Sequence, residues 1–258
     1  MTTEDYNEDE DQDSEIIIGM MLFNDGETYS LNKVVEHLKT NWNVNVTSVS
    51  GNEEAAVITA GGESFTFMYI PEAIPYEDLE EAADSAYYWP NAADTIANHD
   101  AHLIVSVMTN DTGDLNQHKI YTKVISSVFE TTHAIAVFQD DRNLMVPKEM
   151  FVNAAAVLKE YKIPVSLWVY IGTEQTDEGN CAYTLGLSAF DKAEFEVINS
   201  DKSIQDLYSI LANISLYVIS KDIYFEDGDT FGYSEDQKTS LFATDGEYID
   251  GEVFLLDL

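Results

Sequence analysis

Two histidines close to two carboxylates form the cluster of this sequence best suited to chemistry. His99 and His102 are three residues apart, and Asp94 and Asp100 lie beside them. Neutral imidazoles that converge with a carboxylate are typical ligands of zinc or of another transition metal. Residues three apart on a strand point to opposite faces, however, so the two rings converge only where the chain turns. The pattern predicts either a metal site at His99 and His102 or two histidines with a structural role at the end of a strand.

A second oxygen-rich segment, DGDTFG at residues 227–232, resembles the beginning of a calcium-binding loop. An EF-hand that began at Asp227 would need a glutamate at its twelfth position, where this chain has Lys238. That lysine argues against the motif. We expect a tight turn instead, in which Gly228 takes a positive φ and the side chains of Asp227 and Asp229 bond to nearby backbone amides. A weaker calcium site on the surface stays open as an alternative.

Motifs of nucleophilic catalysis and of phosphate binding are missing from the sequence. It contains no Gly-x-Ser-x-Gly, no phosphate loop ending in Gly-Lys-Ser/Thr and no dinucleotide-binding Gly-x-Gly-x-x-Gly. The single cysteine, Cys181, has apolar neighbours and is expected in a buried strand. The sequence therefore favours a protein that is not an enzyme. It implies no cofactor other than, as the alternative, a divalent metal.

Acidic residues dominate the composition. Forty-eight Asp and Glu stand against twelve Lys and Arg, a formal charge of −36 at pH 7 on 258 residues. Binding of nucleic-acid phosphate requires a basic surface, and the sequence has no run of Lys and Arg, so we expect no nucleic-acid partner. A basic protein is the partner that the charge favours. Adaptation to high salt is the competing explanation of such a charge.

The acid is divided between the start of the chain and the folded part. The first fifteen residues carry eight acids and no base, and the first apolar run begins at Ile16. We interpret residues 1–14 as a disordered acidic tail. Further acid is concentrated in residues 72–84 and 222–257, where it would form a lasting field on a folded surface. The residues predicted to contact a basic partner are Glu77, Asp78, Glu80, Glu81, Asp227 and Asp229.

The first part of the chain predicts the order β-α-β-β-β, followed by an acidic helix. Apolar runs and alternating patterns predict four strands, at residues 16–23, 44–49, 55–60 and 65–70. Gly61 and Gly62, between the last two strands, are a strong signal for a hairpin. Ser30 can cap a helix whose apolar residues recur at helical spacing. The acidic helix is expected at residues 76–87.

The second part of the chain restarts the alternation. Apolar runs predict six strands, at residues 103–108, 134–138, 165–171, 181–187, 195–198 and 253–256. Helical spacing predicts three helices, at residues 114–129 with Asp114 as the cap, 147–161 and 203–219. The hairpin and the three successive strands at 165–198 require antiparallel pairing. We therefore predict an α+β fold with helices packed on a mixed, largely antiparallel sheet. Residues 15–258 would form one domain, with two related halves, 15–98 and 99–258, as an open alternative.

Three short patterns carry a resemblance to a known family. They are HDAHLIVSV at residues 99–107, TLGLSAFDKAEFEV at 184–197 with the long helix after it, and DGDTFG at 227–232. Together they resemble the bacterial family of uncharacterised proteins called domain of unknown function 4261, over a region from about residue 16 to the C-terminus. The resemblance implies the fold of that family. It supplies no catalytic residues that could be transferred to this chain.

A cytoplasmic protein is expected, and two functions from different classes are compatible with the sequence. One cysteine cannot form an intramolecular disulfide, no signal peptide opens the chain, and the apolar run at 16–23 is too short to cross a bilayer. The first function is an acidic protein-binding module, such as an immunity protein or an inhibitor that neutralises a basic toxin. The alternative is a metal-assisted hydrolase that uses His99 and His102. The oligomeric state is not indicated.

Overall fold

The computed structural model describes residues 16–108, 115–232 and 238–258. The predicted acidic tail and the predicted helix cap Asp114 lie outside these ranges. Within them the chain forms thirteen strands and six α-helices, and the strands make two separate sheets. The predicted α+β class is confirmed. The strands of the C-terminal part pair among themselves, so the helices pack on two sheets, of which the second is mixed.

The first sheet has seven strands and is antiparallel throughout. In chain order its strands are β1 (Ile16–Phe23), β2 (Val46–Gly51), β3 (Ala55–Ala60), β4 (Glu63–Ile70), β5 (Ala101–Met108), β6 (Ala136–Gln139) and β7 (Leu144–Pro147). They lie side by side in the order β2-β3-β4-β5-β1-β6-β7. Gly61 and Gly62 form the hairpin between β3 and β4 with φ of +64° and +101°. This is the conformation for which glycine is favoured in a two-residue turn, as predicted.

The second sheet has six strands and is mixed. Its strands are β8 (Tyr170–Gln175), β9 (Asn180–Leu185), β10 (Glu194–Ser200), β11 (Thr230–Gly232), β12 (Lys238–Asp245) and β13 (Glu252–Leu256). They lie in the order β11-β12-β13-β10-β9-β8, so that β8 and β11 are the edges. β13 runs parallel to β10, and the other pairs are antiparallel.

Helices cover both sheets. They are α1 (Leu31–Asn41), α2 (Glu80–Asp84), α3 (Ala92–Ile96), α4 (Leu115–Thr131), α5 (Lys148–Ala155) and α6 (Ile204–Lys221). α4 contacts both α1 and α5 on one face of the first sheet, and α6 packs on β8 and β9 of the second. Ser203 caps α6, because its Oγ accepts a hydrogen bond from the backbone N–H of Asp206 at 3.1 Å.

The alternation of β1 separates two cores. Ile17, Met21 and Phe23 point into the main core, which the helices α1, α4 and α6 share with the inner faces of both sheets. Leu22 points the other way, into a smaller core that α2 and α3 build over β1, β6 and β7 with Leu79 and other apolar side chains. One half of the outer face of the first sheet is thus covered by α2 and α3.

Two side chains join the first sheet to the second. Gln139 donates from Nε2 to the carbonyl of Leu167 at 3.1 Å, and Arg142 donates from Nη1 to the carbonyl of Trp168 at 3.2 Å. Arg142 also bonds from Nε to Asp141 at 2.9 Å. These bonds hold the end of β6 against the segment that leads into β8.

Several predicted elements differ from the observed ones. The acidic helix expected at 76–87 is a 3-10 turn at Tyr76–Asp78 followed by the short α2. The strand expected at 165–171 begins as a 3-10 turn, Val165–Leu167, before β8. The helix expected at 147–161 is α5 followed by a 3-10 helix, Ala156–Glu160. The sequence did not predict α3, β7, β11 or β12.

The suggested division after residue 98 falls between β4 and β5, which are hydrogen-bonded neighbours in the first sheet. The main core also runs from Ile17 in β1 to Leu256 in β13. Among the helices that the structure describes, none combines the length and the apolar composition needed to cross a membrane.

Candidate functional site

His99, the first predicted metal ligand, has both ring nitrogens bonded to the backbone. Nδ1 lies 2.6 Å from the carbonyl oxygen of Ile96, and because a carbonyl can only accept, Nδ1 carries the proton. Nε2 accepts the backbone N–H of Ile74 at 2.8 Å. The ring is therefore held as one neutral tautomer and has no lone pair available to a metal.

His102, the second predicted ligand, lies on β5 and is also buried. Its Nδ1 donates to the carbonyl oxygen of Glu72 at 2.9 Å. Burial lowers the pKa of His102, although the bond to Glu72 opposes that shift, and His99 nearby lowers the pKa further. In residues 16–108, 115–232 and 238–258 no three His, Cys, Asp or Glu side chains come together as a metal site would require. The two histidines instead fix the segment from Glu72 to Ile74 beside the first residues of β5.

The DGDTFG segment forms the turn that its sequence predicts. Asp229 Oδ2 accepts the backbone N–H of Glu226 at 2.8 Å, and Asp227 Oδ1 accepts that of Ala243 at 3.0 Å. Gly228 between them has φ of +84°. The Asp side chains therefore stabilise a turn beside β12, which is the role that short acidic side chains have in such loops. Both residues are exposed, and their contact with a partner stays a prediction.

The other four predicted contact residues lie together on one exposed strip. Glu77 and Asp78 belong to the 3-10 turn, Glu80 and Glu81 begin α2, and all four are exposed. Leu79, between the pairs, is fully buried in the smaller core. The segment therefore turns its apolar residues to the sheet and its carboxylates to solvent. We call residues 77–81 the acidic strip.

The second sheet separates the acidic strip from the DGDTFG turn. Glu81 interacts electrostatically with Tyr170 of β8, an edge strand, and Ser85 hydrogen-bonds to the same tyrosine. Asp227 is bonded to Ala243 of β12, next to the opposite edge. The six predicted contact residues thus form two separate groups, and a single small partner segment would not touch both.

The chain continues from the acidic strip to Tyr87 and Tyr88, which line an aromatic groove. Its volume is about 490 Å³, and the residues that line it are Tyr87, Tyr88, Met150, Ile204, Gln205, Tyr208 and Ser209. A second groove of about 580 Å³ adjoins it, shares Tyr88 and Met150, and is also lined by Trp89, Pro147 and Glu149. We call the two together the tyrosine groove. It is open at the surface, since Tyr87 is 49% exposed.

The rings of the tyrosine groove are set at steep angles to one another. The centroids of Tyr87 and Tyr88 are 5.3 Å apart with the planes at 75°, and those of Tyr87 and Tyr208 are 6.1 Å apart at 81°. Burial, followed by the neighbouring tyrosines, raises the pKa of both Tyr87 and Tyr88, so these phenols stay neutral. Tyr88 donates its hydroxyl to the carbonyl of Met145 at 2.8 Å, which fixes its ring. Such rings can pack on alkyl chains and attract cations to their faces.

Tyr170 of β8 is a neighbour of both the acidic strip and the tyrosine groove. Burial raises the pKa of Tyr170 and Glu81 of the strip adds to that shift, while Tyr170 adds to the pKa of Tyr87, which burial also raises. Glu149 adds a carboxylate to the lining of the second groove. Sequence reasoning missed the groove, although the run Tyr87-Tyr88-Trp89-Pro90 was a visible signal for it.

Five of the twelve basic residues lie on helices at the opposite face of the first sheet. Lys33 and Lys39 lie on α1, Lys119 and Lys123 on α4, and Lys159 on the 3-10 helix after α5. In the described ranges none of these five lysines forms an ion pair. Burial, followed by Lys119, lowers the pKa of Lys123.

The architecture defines the class as an α+β protein of two sheets, in which an acidic strip lies beside an aromatic groove. The sequence model of one family, described as a domain of unknown function (DUF4261), matches residues 183–257. The predicted resemblance to that uncharacterised family is confirmed over this range, which holds α6, β10 and two of the three patterns that suggested it. Residues 99–107, the first pattern, lie outside the match. Neither the curated proteins nor the solved structures contain a match to the chain.

Proposed function

We propose that this protein binds a basic protein partner through the acidic strip and the tyrosine groove. The observation that supports the proposal is the position of four exposed carboxylates, Glu77, Asp78, Glu80 and Glu81, next to a groove lined by aromatic rings. Neither feature alone would suggest a partner, because many proteins have exposed acids and many have surface grooves that bind nothing. Together they can bind a lysine or arginine side chain, because the carboxylates attract its charge and the rings can pack on its alkyl stem.

The carboxylates would act on association and the rings on dissociation. A field of one sign attracts a basic protein over a distance and raises the association rate. On contact, the alkyl stem of a Lys or Arg can pack in the groove while its charge lies over a tyrosine face, an interaction of about 0.5–2 kcal/mol. The alternative of a metal-assisted hydrolase has no comparable support, because both ring nitrogens of His99 are bonded to backbone.

The finer form of the proposal is an immunity protein or inhibitor. An acidic surface can occupy the substrate cleft of a basic toxin, and a nuclease is one such target because its cleft is built to attract phosphate. We also propose a bacterial, cytoplasmic setting, in which a toxin encoded nearby would be the natural partner. The single free cysteine, Cys181, buried in β9, is compatible with a reducing compartment.

Affinity capture from the native host with matched charge variants tests the proposal. Glu77→Lys/Glu80→Lys/Glu81→Lys changes the acidic strip. Asp177→Lys/Asp201→Lys/Asp250→Lys makes the same change in net charge at three exposed acids elsewhere. We expect a basic protein that the wild type and the control variant retain and the strip variant loses.

The kinetics of the purified pair complete the test. The association rate should fall steeply between about 0.05 and 0.5 M salt, because the screening length shortens from about 14 Å to about 4 Å. Tyr87→Leu should leave that rate nearly unchanged and speed dissociation. The proposal would be overturned if both charge variants lost the partner equally, or if the association rate did not depend on salt. The acidic residues would then contribute to solubility alone.

A further inference from the structure

Among the described residues, one broad face of the first sheet carries no charged side chain. The side chains of β1 to β5 that point away from the main core alternate with the buried ones, and α2 and α3 cover only the other half of this face. Four apolar side chains on it are widely exposed: Ile16 at 46%, Ile18 at 37%, Val57 at 42% and Met68 at 47%. We call it the neutral face.

The strand register places its side chains in continuous rows. One row runs from Ile18 through Ser106, Thr66 and Val57 to Ser50, across five strands. The next runs from Met20 through Ile104 and Met68 to Ala55. Every one of these positions is apolar or a small hydroxyl residue.

This absence of charge does not follow from the composition. The chain has 48 acids, and the acids continue up to the borders of the face, with Glu53 and Glu54 in the turn between β2 and β3. An exposed strand position on such a protein would ordinarily carry some of them. A basic partner would find no carboxylate here to pair with, so the neutral face is not suited to the partner proposed above.

We propose that the neutral face is the contact between two copies of this chain, packed sheet on sheet around a twofold axis. Two copies repel each other wherever acid meets acid, and the lysine-bearing helices would likewise oppose each other in a symmetric pair. The neutral face can meet itself without placing like charges in contact. Aligned packing of two sheets brings such faces to about 10 Å, with side chains from both interdigitated.

The composition of the face suits this packing. Ile18, Val57 and Met68 bury apolar surface at little cost, and the hydroxyls of residues such as Thr66 can bond across the contact or keep water. A standard interface needs about 800 Å² from each partner. Five strands of six to eight residues, about 4.8 Å apart and about 3.3 Å per residue, make a face of roughly 500 Å² in projection, and the accessible surface of its side chains is larger than that projection.

The salt dependence of association distinguishes this contact from contacts between charged surfaces. Screening weakens the repulsion between the two anionic copies and strengthens apolar association, so the dimer should tighten as salt rises. A head-to-tail contact between the acidic strip and the lysine-bearing helices would loosen as salt rises and would continue into larger species. Binding of the proposed basic partner would also loosen, so failure of either proposal can be recognised without the other.

The test is sedimentation equilibrium of the full chain over a concentration series at about 0.05 and 1 M sodium chloride. Val57→Glu places a carboxylate in the middle of the neutral face. Val49→Glu is the matched control, because Val49 is 43% exposed on the same sheet but pairs with the inward-facing Ile58. Circular dichroism and melting curves first establish that both variants fold.

We expect a monomer–dimer equilibrium that tightens in high salt, is weakened at least about tenfold by Val57→Glu, and is kept by Val49→Glu. A wild type that stays monomeric at both salt concentrations overturns the proposal. So does equal weakening by both variants. Association that declines with salt, or that grows beyond two copies, would assign self-association to the charged surfaces instead.

Discussion

Glu194 and Glu196 stand two residues apart on β10, and each buried carboxylate accepts hydrogen bonds from three successive backbone N–H groups. Glu194 Oε1 accepts those of residues 186–188, at 2.7 to 3.2 Å. The carboxylate of Glu196 accepts those of residues 247–249, all at 2.9 Å. Burial raises the pKa of Glu194, while its hydrogen bonds oppose that shift. One strand thus anchors two loops that are far apart in sequence.

Removal of the charge at Glu196 should destabilise the protein. Glu196→Gln replaces two charged acceptor oxygens by one neutral oxygen and an amide that cannot accept, so at least one backbone N–H of the loop loses its partner. We expect a loss of about 1.5–3 kcal/mol in the free energy of unfolding, measured in urea. Amide exchange at residues 247–249 should also accelerate. Glu252→Gln, at an exposed position of β13, is the control and should change neither quantity.

Gly172 on β8 is required by the ring of its cross-strand neighbour. A Cβ built on Gly172 would lie 2.2 Å from Cζ of Tyr183, with which Gly172 is paired in the β8–β9 ladder. Gly172→Ala should therefore cost about 1–3 kcal/mol through overpacking. The same substitution in a Tyr183→Ala background should cost much less. An equal cost in both backgrounds, measured by denaturant unfolding, would show that the ring is not the reason.

Stability should fall in mildly acid solution, with His102 as one cause. Its pKa in the folded protein is below the ordinary value of 6.5, because burial disfavours the charged form. The unfolded chain then binds protons first as the pH falls, so this contribution is complete above about pH 6.5 and is lost below it. His102→Gln should flatten the dependence of the unfolding free energy between about pH 7.5 and 5.5. His133→Gln, at an exposed position, should retain the wild-type slope.

Chelators should leave the protein unchanged. If His99 has only the structural role that its bonds to Ile74 and Ile96 give it, EDTA will not shift the melting temperature. Elemental analysis of protein purified without chelator should find no stoichiometric transition metal. His99→Ala should still cost about 1–3 kcal/mol, because it leaves the backbone N–H of Ile74 without an acceptor. A loss of several degrees in EDTA that zinc restores would favour the metal-assisted hydrolase over the binding module.

Local patterns were sufficient where a single element determines its own form. β1 was predicted correctly because the apolar, β-branched run Ile16–Phe23 favours a strand wherever it lies in the fold. The hairpin at Gly61 and Gly62 needs only two residues with positive φ. Ser203 and the apolar stripe after it were enough to define α6.

Other elements depend on contacts that no local pattern contains. β12 has a single buried residue, Leu241, so neither alternation nor an apolar run marks it. The expected helix at 76–87 fails at Leu79, whose φ of −112° joins a 3-10 turn to α2 as both dock on the first sheet. The division into two sheets likewise follows from the pairing of β13 with β10, which are separated by α6 and two other strands.

The candidate site was only half visible in the sequence. The exposure of Glu77, Glu80 and Glu81 follows from a charged run with Leu79 as its inward residue. The groove needs Tyr208, which lies on α6, more than a hundred residues after Tyr87 in the chain. The structural role of the histidines could not be predicted for the same reason, because Nε2 of His99 accepts a hydrogen bond from Ile74, which is distant in the chain.

Cleavage of the chain after Arg142 can report local opening of the protein. It is the only arginine in the sequence, it is 2% exposed, and its bond to Trp168 spans the two sheets. An endoprotease specific for arginine would therefore have one peptide bond to cleave, after residue 142, and could reach it only in molecules whose turn at residues 140–142 has opened away from Trp168. When opening and closing are fast relative to cleavage, the digestion rate is proportional to the population of such molecules. A single pair of bands on a gel would then measure how often the contact of this turn with Trp168 opens.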